Sequence, residues 1–224
     1  MSRSTICINA TDFKADNLVL SDCKEIKKGN LKLKISDISY LNEKNELCAL
    51  YIQLAEVEAF GPFPQYDFNS KKTKNDINGY TISYSNDEAC KLFKNILKIC
   101  SNKFKKSNIK PVFIENKKNI KTAYFKVKMN DKNIATEFYS DKKCTKSIDG
   151  LDLVRKFGTT TAMIHVKSIY FGAHGTSEYN ASLQMYISKA LFIEKPRLII
   201  PELTWSDDDE ENEDDDTEEG EEDN

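Results

Sequence analysis

Residues 80–104, YTISYSNDEACKLFKNILKICSNKF, join a short strand pattern to the clearest helix pattern in the chain. Residues 80–84 alternate apolar and polar side chains, as a strand with one buried face does. From Asn86 or Asp87, either of which can cap a helix, apolar residues then recur at three- and four-residue steps. The sequence therefore predicts one prominent amphipathic α-helix over about 87–104, directly after a strand.

Strand patterns flank this helix on both sides. They lie at residues 31–40, 47–57, 80–84, 123–129, 134–139, 163–171 and 182–192, with a short helical segment near 151–157. A helix between the third and fourth strands is typical of the OB-fold, a Greek-key barrel. We therefore predict a mainly β fold, an OB-fold-like Greek-key barrel with one prominent helix and an added C-terminal β-hairpin. A β-sandwich with one inserted helix would give the same order of elements.

Charge divides the chain into two parts. Residues 207–223 hold 14 Asp and Glu residues and no Lys or Arg, so 22 of the 36 acidic residues remain in residues 1–206 to set against all 33 basic ones. The body therefore carries a net charge of +11 and the tail −14. A body this basic attracts a polyanion, and an anionic tail can compete with that polyanion for the same surface. We predict one basic domain over 1–206 and a disordered acidic tail over 207–224, whose composition cannot offset the entropy of ordering.

Several other classes of function find no support in the sequence. It contains no phosphate-binding loop, dinucleotide-binding fingerprint, nucleophile elbow or zinc-protease motif, so we expect a non-enzymatic protein. His165 and His174 lack placed partners and the six cysteines include no C-x-x-C pair, so we expect free, mostly buried thiols and no metal or cofactor. No signal-peptide core is present and no apolar stretch approaches the ~20 residues that cross a bilayer. We expect a soluble intracellular protein.

A mixture of lysine and aromatic residues recurs on single faces of the predicted strands. The residues concerned are Tyr124, Lys126 and Lys128 on one strand, Lys167 and Phe171 on a second, Tyr186 across the hairpin from these, and Lys32 and Lys34 facing outward on the first strand. Single-stranded nucleic acid needs this mixture, because ammonium groups displace counterions from phosphates and unpaired bases stack on rings for about 1–3 kcal/mol each. The alternative for any one residue is an ordinary solvated strand with tyrosines at the edge of the core.

Two further segments complete the predicted site. A proline-interrupted loop carries Phe63, Tyr66, Phe68, Lys71, Lys72 and Lys74. This loop is either a mobile clamp or a loop whose aromatic residues fold back onto the barrel. The predicted partner-binding tail begins with Trp205, Asp207, Asp208, Asp209 and Glu210. Trp205 either anchors the start of the tail to the body or is exposed with the tail for a partner to recognise.

This arrangement resembles the single-stranded DNA-binding proteins of T7-like phages and of large cytoplasmic DNA viruses. The shared elements are a basic OB-type body of this size and an acidic C-terminal run, and they cover the whole chain loosely. The resemblance implies a tail that competes with DNA for the binding cleft and recruits replication partners such as a polymerase or helicase. The phage proteins typically end in an aromatic residue, whereas this chain ends in Glu221-Glu222-Asp223-Asn224.

The sequence thus leads to one main hypothesis and its alternatives. The main hypothesis is a protein that coats single-stranded DNA in replication, recombination or repair, at a viral replication site in the host cytoplasm or in the nucleus. RNA as the ligand and assembly into a homo-oligomer both stay open. The alternative from another class is an acidic-tailed chaperone of histones or other basic proteins, and a further one is a structural virion protein.

Overall fold

The computed structural model of the protein describes residues 4–28, 31–66, 77–117, 119–130, 133–172 and 178–195. These residues form sixteen strands and one α-helix, α1, which spans Asp87–Lys103. In chain order the strands are β1 (Thr5–Asn9), β2 (Leu18–Leu20), β3 (Lys24–Lys28), β4 (Leu31–Leu41), β5 (Leu47–Gln53), β6 (Val57–Phe60), β7 (Phe63–Tyr66), β8 (Ile77–Tyr84), β9 (Phe113–Glu115), β10 (Lys121–Val127), β11 (Met129–Asn130), β12 (Asn133–Ile134), β13 (Glu137–Tyr139), β14 (Ser147–Ile148), β15 (Phe157–Phe171) and β16 (Ala181–Glu194). The acidic tail lies outside the described residues.

The main sheet is organised around the antiparallel hairpin of β15 and β16. The predicted hairpin of residues 163–171 and 182–192 is confirmed, and β15 starts earlier, at Phe157, while β16 runs on to Glu194. The other edge of β15 pairs in turn with β6, β5 and β4, and the other edge of β16 pairs with β10 and β13. The principal strand order is β1-β5-β4-β15-β16-β10-β8-β7.

Two residues connect the middle of this strand order to its β7 end. Gly61 and Pro62 separate β6, which pairs with β15, from β7, which pairs with β8. The Gly61 amide donates to the Lys156 carbonyl oxygen at 2.7 Å. A Cβ at position 61 would lie 1.9 Å from the Leu153 carbonyl oxygen, so only glycine permits this approach. The fold is mainly β with one prominent helix, as predicted, and no hydrogen-bonded ladder among the described residues closes the sheet into a barrel.

Helix α1 covers the core face of the sheet. The side chain of Asn86 accepts a hydrogen bond of 2.9 Å from the Ala89 amide, which caps the helix where the sequence predicts its start. Phe93 is 1% exposed, and its ring lies 5.6 Å from that of Phe125 on β10. The helix thus shields one side of the sheet from solvent. Within the described part of the chain, no helix is long and apolar enough to cross a membrane.

Several local predictions differ from the structure. Residues 63–66, predicted as part of a loop, form strand β7. In β4 the buried residues are Ser36, Ile38, Ser39 and Tyr40. The even-numbered residues face the core, so Lys34 lies on the core side of its strand, beyond the end of the core, and not on the outward side. The predicted helical segment near 151–157 is a 3-10 helix at Gly150–Leu153, after which the chain enters β15. Only part of the cysteine prediction holds: all six thiols are free, but only Cys48, Cys90 and Cys100 are buried.

Candidate nucleic-acid interface

One row of register partners crosses six strands of the sheet. The partners are Thr81 on β8, Lys126 on β10, Tyr186 on β16, His165 on β15, Tyr51 on β5 and Cys7 on β1. Paired residues of adjacent strands point to the same face, so these side chains share one face. The adjacent row, which includes Ile82, Phe125 and Ile164, is buried in the core. The first row therefore lies on the side of the sheet away from the core, which we call the open face.

Three aromatic side chains at the centre of this row form a ring cluster, made of Tyr51, His165 and Tyr186. The rings of Tyr51 and His165 stack with centroids 4.5 Å apart and planes 12° apart. The ring of Tyr186 meets the imidazole edge to face at 5.0 Å and 82°. His165 Nδ1 and the Tyr186 hydroxyl share a hydrogen bond of 2.6 Å. Three neighbouring strands therefore present one half-buried aromatic surface in a fixed geometry.

The surroundings of the ring cluster are electropositive. The pKa of His165 is lowered from its ordinary value by burial and then by the positive charges of Lys167 and Lys128, so the imidazole is neutral at pH 7. Burial raises the pKa of Tyr186, with a smaller contribution from Tyr51, so its hydroxyl stays protonated. The cluster itself therefore carries no charge, and the lysines around it supply the positive potential.

Three lysines surround the ring cluster on the open face. Lys126 is the register partner of Tyr186, and the ammonium of Lys128 lies 5.8 Å from the centroid of the same ring. Lys167 lies at the irregularity of β15 between Val166 and Ser168. All three lysines are exposed, and among the described residues no carboxylate forms an ion pair with any of them. Their charges are free to meet an anionic ligand.

Tyr124 adds a second, more exposed ring to this surface. It lies two residues before Lys126 on β10, which places both on the open face, and its strand partner is Ser83. Its side chain is 59% exposed, more than any other large apolar or aromatic residue described. At ~3.4 Å per residue and ~4.8 Å per strand, Tyr124 and Tyr186 are ~8 Å apart at their Cα atoms. The open face thus brings together five residues of the predicted site: Tyr124, Lys126, Lys128, Lys167 and Tyr186.

Phe171 does not join this surface. The register irregularity between Val166 and Ser168 adds a residue to β15. Even-numbered residues such as Ile164 face the core before it, and odd-numbered residues such as Ile169 face the core after it. Phe171 consequently packs against the core, with its ring 4.9 Å from that of Phe104 at the end of α1. The expectation that Lys167 and Phe171 share a face is wrong for this reason.

Lys34 and Phe63, two further residues of the predicted site, lie at the margins of the sheet, away from the ring cluster. Lys34 pairs with Phe171, six residues along β15 from His165, which is ~20 Å at ~3.4 Å per residue, and its ammonium lies 3.9 Å from Glu25. Phe63 is the partner of Thr81 at the β7 edge, and its ring lies 5.7 Å from that of Phe60. Phe63 can extend the open face only across Thr81, which is 4% exposed.

The remaining predicted residues are described in part or not at all. Lys32 lies in β4 and Tyr66 at the end of β7. Those outside the described residues are Phe68, Lys71, Lys72, Lys74, Trp205, Asp207, Asp208, Asp209 and Glu210.

Sequence reasoning missed two central members of the interface, Tyr51 and His165. Tyr51 lies between the buried residues Leu50 and Ile52, so strand alternation alone could have placed it on the outward side. His165 lacked a visible partner because its contacts, Tyr51 and Tyr186, come from other strands. The described residues include no group of three or more His, Cys, Asp or Glu side chains that could hold a metal ion.

Comparison with known proteins gives a distant structural likeness. No known family matches the sequence, and no curated protein does. Among solved structures, the chain is similar to the crystal structure of gp2.5, a single-stranded DNA-binding protein encoded by bacteriophage T7. The likeness covers 72% of this chain and 98% of that one, with 14% identical residues and a TM-score of 0.39. Likeness at this level is too low for residues to be transferred from one chain to the other.

Proposed function

We propose that this chain is a non-enzymatic protein that binds single-stranded nucleic acid on its open face, without sequence preference. The observation that carries the proposal is the ring cluster of Tyr51, His165 and Tyr186, surrounded by lysines with which no described carboxylate forms an ion pair. Lysines of this kind release counterions from phosphates, and aromatic rings stack on unpaired bases.

Single-stranded nucleic acid is the form of ligand that these side chains suit. Duplex DNA hides the flat faces of its bases within the stack, so an exposed ring such as Tyr124 finds no stacking partner there. Stacking has no hydrogen-bond code, which is why the proposed binding is independent of sequence. Of the two nucleic acids we propose DNA, with RNA as the alternative that the same side chains would accept.

The proposed biological role is the coating of single strands during DNA replication, recombination or repair. The charge distribution of the sequence supports a part for the acidic tail, residues 207–224, in this role. In our proposal the tail occupies the lysines of the open face until DNA displaces it, and the displaced tail recruits a replication protein such as a polymerase or helicase.

The proposal is tested by removing the three lysines of the open face. We expect the triple variant Lys126→Ala, Lys128→Ala, Lys167→Ala to bind oligo-dT more weakly in fluorescence anisotropy. The slope of log affinity against log salt should fall by ~2, because each phosphate contact on a single strand contributes ~0.7. The matched control is Lys91→Ala, Lys94→Ala, Lys98→Ala on the exposed side of α1, which removes the same charge from another surface.

The comparison of the two triple variants decides the matter. Equal loss of affinity in the two triple variants would mean that the oligonucleotide is held by positive charge spread over the whole surface. The open face would then not be a specific binding site. Parallel titrations with duplex DNA and with histones separate the other functions. Tighter binding to histones than to oligo-dT would overturn the proposal in favour of a chaperone of basic proteins, and no binding to any of them would favour a structural role.

A further inference from the structure

A short loop beside the open face is organised by a single carboxylate. Residues 141–146, which we call the lysine loop, connect β13 to β14. The carboxylate of Asp141 accepts hydrogen bonds from the amides of Lys143, Thr145 and Lys146 at 3.1, 2.9 and 2.6 Å, and from the Thr145 hydroxyl at 2.9 Å. The Cys144 amide donates to the Asp141 carbonyl oxygen at 2.9 Å. The loop is therefore held in one conformation by its own first residue.

This geometry leaves the lysines of the loop available. Lys142, Lys143 and Lys146 are exposed, and no described carboxylate forms an ion pair with them. The pKa of Asp141 is lowered chiefly by the Lys146 amide, so its carboxylate is ionised and bound to the loop itself. The loop thus presents three ammonium groups. The carboxylate of Asp141 beside them already accepts hydrogen bonds from donors within the loop.

Strand pairing places the lysine loop next to the open face. Phe138 of β13 is buried beside Ala190, so Glu137 and Tyr139 on either side of it face the same way as the ring cluster. Glu137 forms an ion pair of 2.8 Å with Lys189 of β16 and accepts a hydrogen bond of 2.8 Å from the Tyr139 hydroxyl. These contacts fix the strand from which the loop departs.

The electrostatic couplings connect the loop to the ring cluster. Hydrogen bonds from Lys189 and Tyr139 lower the pKa of Glu137, and the charge of Lys128 adds to this effect, so Glu137 lies close to a lysine of the interface. The pKa of Lys189 is raised first by Glu137 and in smaller part by Cys144 in the loop. The Glu137–Lys189 ion pair therefore lies between Lys128 and the lysine loop, and all three belong to the same side of the sheet.

We propose that the lysine loop is a second phosphate-binding station of the same nucleic-acid interface, reached by a strand that already stacks on the ring cluster. This inference rests on the proposed function. Tyr139 pairs with Leu191, five residues along β16 from Tyr186, which is ~17 Å at ~3.3 Å per residue. At ~3.4 Å per stacked nucleotide, about five nucleotides cover that distance.

The internal hydrogen bonds of the loop favour this role. Three lysines on a flexible loop would lose conformational freedom on binding, whereas a loop already fixed by Asp141 loses little. Asp141 would therefore favour the binding of phosphates, although its negative charge alone would oppose it. Removing a carboxylate from a phosphate-binding surface should strengthen binding by simple electrostatics, but here it would release the loop.

The test compares two lengths of oligo-dT. A dT4 probe is long enough for the ring cluster alone, and a dT16 probe reaches both stations. For Lys142→Ala, Lys143→Ala, Lys146→Ala we expect the affinity for dT16 to fall about tenfold at low salt and its salt slope to fall by ~2, with dT4 binding unchanged within about twofold. The α1 triple variant, Lys91→Ala, Lys94→Ala, Lys98→Ala, is the control of equal charge and should change neither.

A second variant tests the organisation of the loop. Asp141→Ala should weaken dT16 binding about threefold although it removes a negative charge, because the freed loop must be ordered on binding. Tighter binding of dT16 by this variant, or equal losses for dT4 and dT16 in the loop triple variant, would overturn the inference. Failure of the unaltered protein to bind dT4 at all would instead overturn the proposed function of the ring cluster.

Discussion

The ring of Tyr51 lies flat against the imidazole of His165, with centroids 4.5 Å apart. The same imidazole is hydrogen-bonded through Nδ1 to Tyr186 at 2.6 Å, so side chains from β5, β15 and β16 fix one another. A base that stacks on this surface meets rings whose orientation is already set. In the proposed binding mode the protein would therefore lose little side-chain entropy, and more of the stacking energy would remain as affinity.

Tyr124 provides the simplest test of stacking. It is 59% exposed, so Tyr124→Ala should leave the free energy of unfolding nearly unchanged. We expect the variant to lose about 1–3 kcal/mol of binding energy for oligo-dT, which is the contribution of one stacked base. Tyr124→Phe keeps the ring and should keep the affinity. Equal weakening by the two variants, measured by quenching of tyrosine fluorescence, would contradict a stacking role.

His165 should make the stability of the fold depend on pH. Burial, followed by the charges of Lys167 and Lys128, lowers its pKa in the folded state below the ordinary value of ~6.5. Its contribution to stability is therefore present above pH ~6.5 and is lost as the pH falls through the lowered pKa. We expect the Tm to fall between pH 7 and pH 5, and to fall less in His165→Gln than in the unaltered protein.

The other histidine supplies the control for this measurement. His174→Gln removes the same titratable group at a position outside the described residues, so an effect specific to His165 requires a smaller change of pH dependence in this variant. Added oligo-dT should reduce the pH dependence, because bound phosphates offset the repulsion between protonated His165 and Lys128 or Lys167. If His174→Gln reduces the pH dependence as much as His165→Gln does, the assignment to His165 is wrong.

The elements with the strongest local signals are the ones that could be predicted from the sequence. The Asn86 cap and the apolar spacing of α1 are properties of neighbouring residues, and the structure has the helix at Asp87–Lys103. The long hairpin of β15 and β16 likewise alternates apolar and polar side chains over residues 164–167 and 182–185. On this basis Tyr124, Lys126 and Lys128 could be placed on one strand face without knowledge of their neighbours.

The central ring cluster could not be predicted in this way. Tyr51 and His165 are separated by more than one hundred residues in the chain and meet only because β5 pairs with β15. Which strands pair is a long-range property that one strand's alternation does not contain. The extra residue near Lys167 in β15 could not be predicted either. It places Phe171 against the core, whereas strict alternation predicts that Phe171 lies on the open face.

The cap of α1 should contribute measurably to the stability of the core. Asn86→Ala removes the acceptor of the Ala89 amide and should lower the free energy of unfolding by about 1 kcal/mol, whereas Asn86→Asp keeps an acceptor and should change it little. Urea denaturation measures both. Because Asn86 caps α1 and is not part of the open face, binding of oligo-dT by the folded Asn86→Ala protein should be unchanged. Equal stability of Asn86→Ala and the unaltered protein would contradict the role of the cap.

Removal of residues 207–224 should tighten the binding of oligo-dT. The deleted segment carries 14 carboxylates, and a tethered polyanion competes at a high effective concentration with any ligand for the lysines of the open face. We expect a gain of about tenfold in affinity at low salt that shrinks as salt screens the competition. Heparin, which offers charge without bases, should gain at least as much, so discrimination between polyanions should fall.

A double-mutant cycle then locates the competition. If the tail and DNA share the open face, deletion of the tail should have a smaller effect in the Lys126→Ala, Lys128→Ala, Lys167→Ala variant, because the site for which they compete has lost its charge. Additive effects would mean that the tail acts elsewhere on the body. Weaker binding after the deletion would contradict competition altogether, since a ligand cannot lose affinity when its competitor is removed.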